Sequence, residues 1–121
     1  MTTKRLLVVD DEADFGAYVK KVAEGLGYQV LVTTSGRAFM AAFEDFAPSH
    51  VMLDVVMPEM DGIELVQWLA KRCSRVKVVI VTGYNPKYAH TAGVLGGAKG
   101  LEVVGIYAKP LRLADLRAVL A

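Results

Sequence analysis

Five short β-rich apolar runs, each followed by a stretch of helical spacing, predict an α/β fold with a parallel sheet covered by helices on both faces. Two further observations support that class. The chain has 121 residues, which suits one domain and one well-buried core, here taken as residues 1–121. Its residues are 54% hydrophobic and 22% charged, with a formal net charge of +1. That balance excludes disorder and gives no general attraction to nucleic acid or anionic lipid.

The elements follow in order along the chain. The first run, 6–9, leads into a helix over about 13–26 that sets Phe15, Val19, Val22 and Leu26 on one stripe, with Gly27 placed to end it. The second run is 28–32. Ser35 is a natural N-cap for a helix over 37–46, which presents Phe39, Met40, Phe43 and Phe46 and stops at Pro48. The third run, 51–53, precedes a helix over about 63–72 carrying Leu65, Val66 and Leu69. The fourth, 76–81, precedes a helix opening at Asn85-Pro86, a good cap and first-turn pair. Gly93, Gly96, Gly97 and Gly100 each lower the propensity of that helix. The fifth run, 103–107, is followed by a helix from Leu113 that is still running at Ala121.

Several classes fall away. No apolar run approaches the ~20 residues of a membrane helix. The basic start at Lys4-Arg5 and the four apolar residues after it are too short for a signal peptide. Cys73 is alone, which excludes an internal disulfide and a Cys-built zinc site and fits a reducing cytosol. The expectation is a soluble cytoplasmic domain that neither enters membranes nor binds nucleic acid by itself.

In a parallel sheet of this kind, ligands bind beyond the carboxyl ends of the strands. The residues expected there are Asp10-Asp11 after the first strand, Asp54 after the third, Thr82 after the fourth and Lys109-Pro110 after the fifth. Three carboxylates in one crevice repel each other unless a cation neutralises them. Oxygen-only donors without His or Cys favour a hard ion, and an open, hydrated shell favours magnesium. A nucleophilic carboxylate, a divalent cation, a lysine and a hydroxyl donor are the parts that phosphoryl transfer requires.

With those residues in view, the whole chain resembles a response-regulator receiver domain, the phosphoacceptor half of two-component signalling. The resemblance is carried by Asp10-Asp11-Glu12, Asp54 followed by Met57-Pro58 and Asp61-Gly62, then Thr82, then Lys109-Pro110. It implies a doubly wound, flavodoxin-like three-layer sandwich with strand order 2-1-3-4-5. It implies that Asp54 accepts a phosphoryl group from a sensor histidine kinase or a histidine phosphotransfer protein. Asp11, Asp54 and the Val56 carbonyl would bind Mg2+ directly, and Asp10 mainly through water. Thr82 would bond a phosphoryl oxygen, and Lys109 would pair with Asp54 and then with the phosphate. Lys109-Pro110 would be a cis peptide, and Gly62 would permit the turn that opens the third helix. Such a protein catalyses its own phosphorylation and dephosphorylation without being a metabolic enzyme; an attached output domain and a homodimer both stay open.

Taken singly, these residues have plainer explanations. Asp10-Asp11 could be an ordinary strand-end turn, Asp61-Gly62 is a turn signal anywhere, and a lone Lys-Pro carries little information. His50 and His90 read as surface or strand-flanking residues, and Cys73 as an inert thiol. Asp11-Glu12-Ala13-Asp14 matches a helicase box only by accident, because no phosphate loop accompanies it. A flavin or nucleotide binder on this fold would want Gly, Ser or Thr in the first loop, where Asp10 to Asp14 would repel phosphate. A phosphatase acting on small molecules would want a carboxylate two residues past the nucleophile, where Val56 stands. A degenerate receiver used only for docking is disfavoured by the intact set.

One departure from the family pattern stands out. The aromatic residue before the lysine is Tyr107, two positions ahead rather than three, and Ile106 occupies the usual switch position. Strand alternation sends Tyr107 to the opposite face, so signalling through Thr82 should pass mainly through residues 83–100. The run from Gly100 to Pro110 also resembles receivers attached to cyclic-di-GMP phosphodiesterase outputs.

Overall fold

Apolar residues of alternating direction build the centre of the molecule. In the computed structural model, which describes residues 4–55, 57, 62–72, 75–83 and 86–121, β1 (Arg5–Val9) points Leu7 and Val9 to one face and Leu6 and Val8 to the other. The remaining elements, in chain order, are α1 (Ala13–Gly25), β2 (Gln29–Thr33), α2 (Gly36–Phe46), β3 (His50–Asp54), α3 (Gly62–Lys71), β4 (Lys77–Thr82), α4 (Pro86–Ala98), β5 (Glu102–Ala108) and α5 (Leu113–Leu120). The five strands form one parallel sheet in the order β2-β1-β3-β4-β5.

Each face of the sheet carries its own core. On one side, Phe39 and Phe43 of α2, Leu65, Val66 and Leu69 of α3 and Ala92 of α4 close over Leu7, Val9, Val51, Leu53, Val78 and Ile80. On the other, Val19 and Ala23 of α1 and Leu116 and Leu120 of α5 close over Leu6, Val8, Met52, Val79 and Val81. The result is a three-layer α/β/α sandwich, as the alternation predicts.

The predicted elements are all present, with ends displaced by a residue or so. β3 and β4 each run one residue further than the apolar pattern, so Asp54 and Thr82 are the last paired residues of their strands. Ser35 accepts a hydrogen bond from the Ala38 N–H at 3.1 Å and caps α2. That helix closes on Ala47 in the left-handed region, φ 50°, immediately before Pro48. His50 opens β3 rather than flanking it; its ring sits edge-on to Tyr28, with Nε2 3.3 Å from the Tyr28 hydroxyl and Nδ1 2.8 Å from Ser49 Oγ. His90 is exposed on α4. The Tyr28 hydroxyl donates to the Leu120 carbonyl at 2.7 Å, tying β2's entry to the end of α5.

Several glycines mark places where a Cβ would crowd a neighbouring group. A Cβ on Gly16 would stand 2.5 Å from Val32, and one on Gly93 of α4 would collide with the tip of Ile106. A Cβ on Gly105 would stand 2.5 Å from the Tyr107 ring, which folds back over it beside Val119. Ile106 therefore faces α4 and Tyr107 faces α5, on opposite sides of β5 as alternation requires.

Candidate functional site

The carboxyl ends of β1, β3, β4 and β5 converge because the ladder continues past the strands. The Asp10 N–H donates to the Thr33 carbonyl (3.1 Å), the Val55 N–H to the Val81 carbonyl (3.1 Å) and the Lys109 N–H to the Thr82 carbonyl (2.8 Å). These bonds fix the backbone on either side of the polar residues, so the side chains project from a rigid rim. Lys109-Pro110 is a cis peptide.

Asp10, Asp54 and Thr82 are buried, while Asp11 is exposed. One carboxylate oxygen from each of Asp10, Asp11 and Asp54 lies within 4.8 Å of the others. Lys109 enters this group from β5, its Nζ 2.8 Å from Asp10 Oδ2 and 3.5 Å from Asp54 Oδ2. Asp10 Oδ1 accepts the backbone N–H of Glu12 at 2.8 Å. Asp10 Oδ2 is the oxygen that faces the Lys109 ammonium, at 2.8 Å.

The electrostatics follow from burial and pairing. Burial pushes the Asp10 carboxyl above the ordinary Asp range, and Lys109 together with the Glu12 N–H pulls part of the way back. Burial also opposes the charge on Lys109, but its contacts with Asp10 and Glu12 and the charge of Asp54 outweigh that, raising its pKa above the usual lysine value. The lysine is a fixed cation at any physiological pH. Carboxylates from Asp10, Glu12 and Asp54 stand within 3.5 Å of this one ammonium and Asp11 lies beside Asp10 and Asp54, an excess of negative charge that suits a hard divalent cation.

The sequence-predicted residues Asp10, Asp11, Asp54 and Lys109 thus come together, with Thr82 at the end of the neighbouring strand. Val56, Pro58, Asp61, Cys73, Tyr84 and Asn85 lie outside the described residues. Ile106 and Tyr107 stand on the two faces of β5 rather than within the carboxylate group. Gly62 does not need a left-handed backbone; it is required by space, because a Cβ there would run into the backbone of Val55.

Two neighbours of Lys109 were not assigned a role from sequence. Glu12 Oε1 accepts from Nζ at 2.8 Å, and the Phe15 ring lies beneath the ammonium with its centroid 4.6 Å away. Glu12 is 97 positions from Lys109, so its only sequence signal is its place beside the acidic pair.

Comparison with known proteins agrees with this fold. The family model for the response regulator receiver domain matches residues 6–121. The chain is similar to the chemotaxis protein CheY of Thermotoga maritima, 29% identical over 101 residues that make up 83% of this chain and 84% of that protein. It is also similar to the probable transcriptional regulator ycf27 of Pyropia yezoensis, 32% identical over 117 residues, 97% of this chain and 47% of that protein. The chain spans about half the length of such regulators. Among solved structures, a CheY-like receiver domain protein from Methanospirillum hungatei superposes with a TM-score of 0.84 at 26% identity, covering 97% of this chain and 90% of that one.

Proposed function

This chain belongs to the response regulator receiver domain family, and on that premise we propose that it takes a phosphoryl group from a phosphohistidine onto Asp54 in a Mg2+-dependent step. The observation that carries the reading is the convergence of Asp54 with Asp10, Asp11 and Lys109 at one rim of the sheet. Phosphorylation-dependent signalling is the work of the family; the residue roles, the metal and the donor are what is proposed here.

An Asp54 carboxylate oxygen attacks phosphorus and the phosphorus–nitrogen bond to the donor imidazole breaks; its electron pair stays on that nitrogen, and the imidazole leaves neutral with the proton on its second ring nitrogen retained. Lys109 holds positive charge beside the attacked centre and the Thr82 hydroxyl donates to a phosphoryl oxygen, stabilising charge spread over the three equatorial oxygens. The donor set fits a hard cation: one carboxylate oxygen from each of three aspartates within 4.8 Å of the others, with no His or Cys among them. Asp10, Asp11, Asp54 and the Val56 carbonyl would hold Mg2+, which when bound supplies charge neutralisation between carboxylates and phosphoryl group.

The donor is a sensor histidine kinase or histidine phosphotransfer protein, and the whole of 1–121 acts as one receiver unit. Among the described residues no helix is long and apolar enough to cross a membrane, in keeping with a cytoplasmic site of action. Thr82, Ile106 and Tyr107 are the residues proposed to pass the signal to an output surface, an attached effector or a second copy.

Incubation with acetyl phosphate and Mg2+ tests the reading. Intact-mass spectrometry should find one added phosphoryl group in the wild type and none in Asp54→Asn. Equal labelling of the two proteins would refute the assignment.

A further inference from the structure

We propose that Glu12 is a positioning residue for Lys109, setting where the lysine ammonium rests before Asp54 is modified and competing with Asp54 for it. The inference rests on the phosphoacceptor reading above and adds a residue to it.

Glu12 occupies the N-cap position of α1 with an extended backbone (φ −88°, ψ 102°), yet its side chain makes no capping hydrogen bond. Glu is not among the preferred cap residues; Ser, Thr, Asp or Asn would satisfy the orphan N–H groups better. The side chain is directed instead to Lys109, 2.8 Å from Nζ. The Glu12 backbone is itself anchored, its N–H bonded to Asp10 Oδ1 at 2.8 Å and its carbonyl accepting from the Gly16 N–H at 3.2 Å.

Lys109 therefore stands between close partners, Asp10 and Glu12 at 2.8 Å each, and a more distant one, Asp54 at 3.5 Å. These partners differ in what it costs them to let go. Asp10 and Asp54 are buried, and losing a cation would leave a carboxylate charge uncompensated away from water. The Glu12 side chain is 62% exposed, so solvent takes over its charge at little cost. Glu12 is the partner that can be released. A phosphoryl group on Asp54 adds negative charge on the side from which Lys109 is held away, and draws the ammonium off Glu12. The Phe15 ring beneath Nζ, its centroid 4.6 Å away, adds an attraction that does not depend on Glu12.

The test is a double-mutant cycle on the full chain with acetyl phosphate as donor. Glu12→Gln should raise the labelling rate about two- to fivefold at low ionic strength, the range expected of an exposed ion pair. In the Lys109→Met background that factor should collapse towards one. The same factor in both backgrounds would mean that Glu12 acts as a bulk charge and not through the lysine, overturning the proposal. A second measurement needs no phosphorylation: hydrogen exchange of the Lys109 ammonium, followed by its side-chain nitrogen resonance. Exchange should quicken severalfold in Glu12→Gln and in Glu12→Asp, whose side chain is one methylene too short. Glu12→Asp should melt no lower than wild type, since Asp is a better helix cap. Unchanged ammonium exchange in both variants would overturn the proposal. If Asp54→Asn still labels, the phosphoacceptor reading fails by itself, and ammonium exchange still decides the role of Glu12.

Discussion

Gly62→Ala should damage both stability and the site, for a reason visible only in three dimensions. The first residue of α3 passes directly under Val55, its N–H donating to the Val55 carbonyl at 3.1 Å. A Cβ at position 62 would come 2.6 Å from Val55 Cβ and 2.8 Å from its carbonyl oxygen, and closer still to its Cα. The obstacle is backbone, not the tip of a flexible side chain, so α3 or the end of β3 has to retreat by roughly an ångström to restore van der Waals separation. Overpacking of this kind costs about 1–3 kcal/mol, and the better helix propensity of Ala recovers well under ~1 kcal/mol at a first-turn position. A net loss of about 2 kcal/mol lowers the melting midpoint by roughly 6–12 °C at this chain length. Val55 follows Asp54 directly, so the same displacement reaches the phosphoacceptor, and labelling by acetyl phosphate well below the midpoint should slow by about 10- to 100-fold. Calorimetry and mass-resolved labelling check the two effects. A midpoint within about 2 °C of wild type would refute the steric argument.

Gly97→Ala is the converse case: the position is helical, lacks a left-handed backbone and has nothing within 4 Å of its Cβ site, so the variant should gain up to ~1 kcal/mol, read as a raised midpoint. Tyr28→Phe removes the hydroxyl that donates to the Leu120 carbonyl at 2.7 Å and should cost about 1–2 kcal/mol while accelerating amide exchange in α5; unaltered exchange there would tell against that tie. Burial, with help from Lys77 and Lys4, pushes the His50 imidazole below its usual value of 6.5. A lowered base binds fewer protons folded than unfolded, so its contribution is intact above pH 6.5 and is lost as pH falls through the window below it. The wild type should therefore lose more denaturant resistance between pH 7 and pH 5 than His50→Gln does, and equal losses would show that His50 is not the responsible group.

Much of the site was legible because each apolar run ends on a residue that cannot continue it. Asp10, Asp54, Thr82 and Lys109 announce themselves as polar groups at the exits of buried strands, and parallel alternation brings such exits to one rim. The boundaries were off because a carboxylate or hydroxyl can still use its backbone in the ladder: Asp54 pairs with Val81 and Thr82 with Ala108, so both count as strand. What stayed hidden depends on contacts between distant positions. Nothing local distinguishes Gly62, which needs space, from Gly27, whose φ of +92° needs conformational freedom. Nor does sequence show that the Glu12 carboxylate reaches across 97 positions to Lys109 while leaving its own helix uncapped.

The meeting of Ile106 with Gly93 has a mechanical consequence. The methyl end of Ile106 fills the space that a side chain at 93 would take, beside Ile80, so α4 is indexed to β5 like a wheel held by one pawl. A helix held this way cannot roll or slide without lifting that side chain, even if the strand carrying it stays still. Ile106 is 39% exposed, so part of that side chain meets solvent. Ile106 can thus act as a gauge of helix position. Its δ-methyl resonance, not the backbone amides of β5, is where displacement of α4 by an event at Asp54 and Thr82 would be registered.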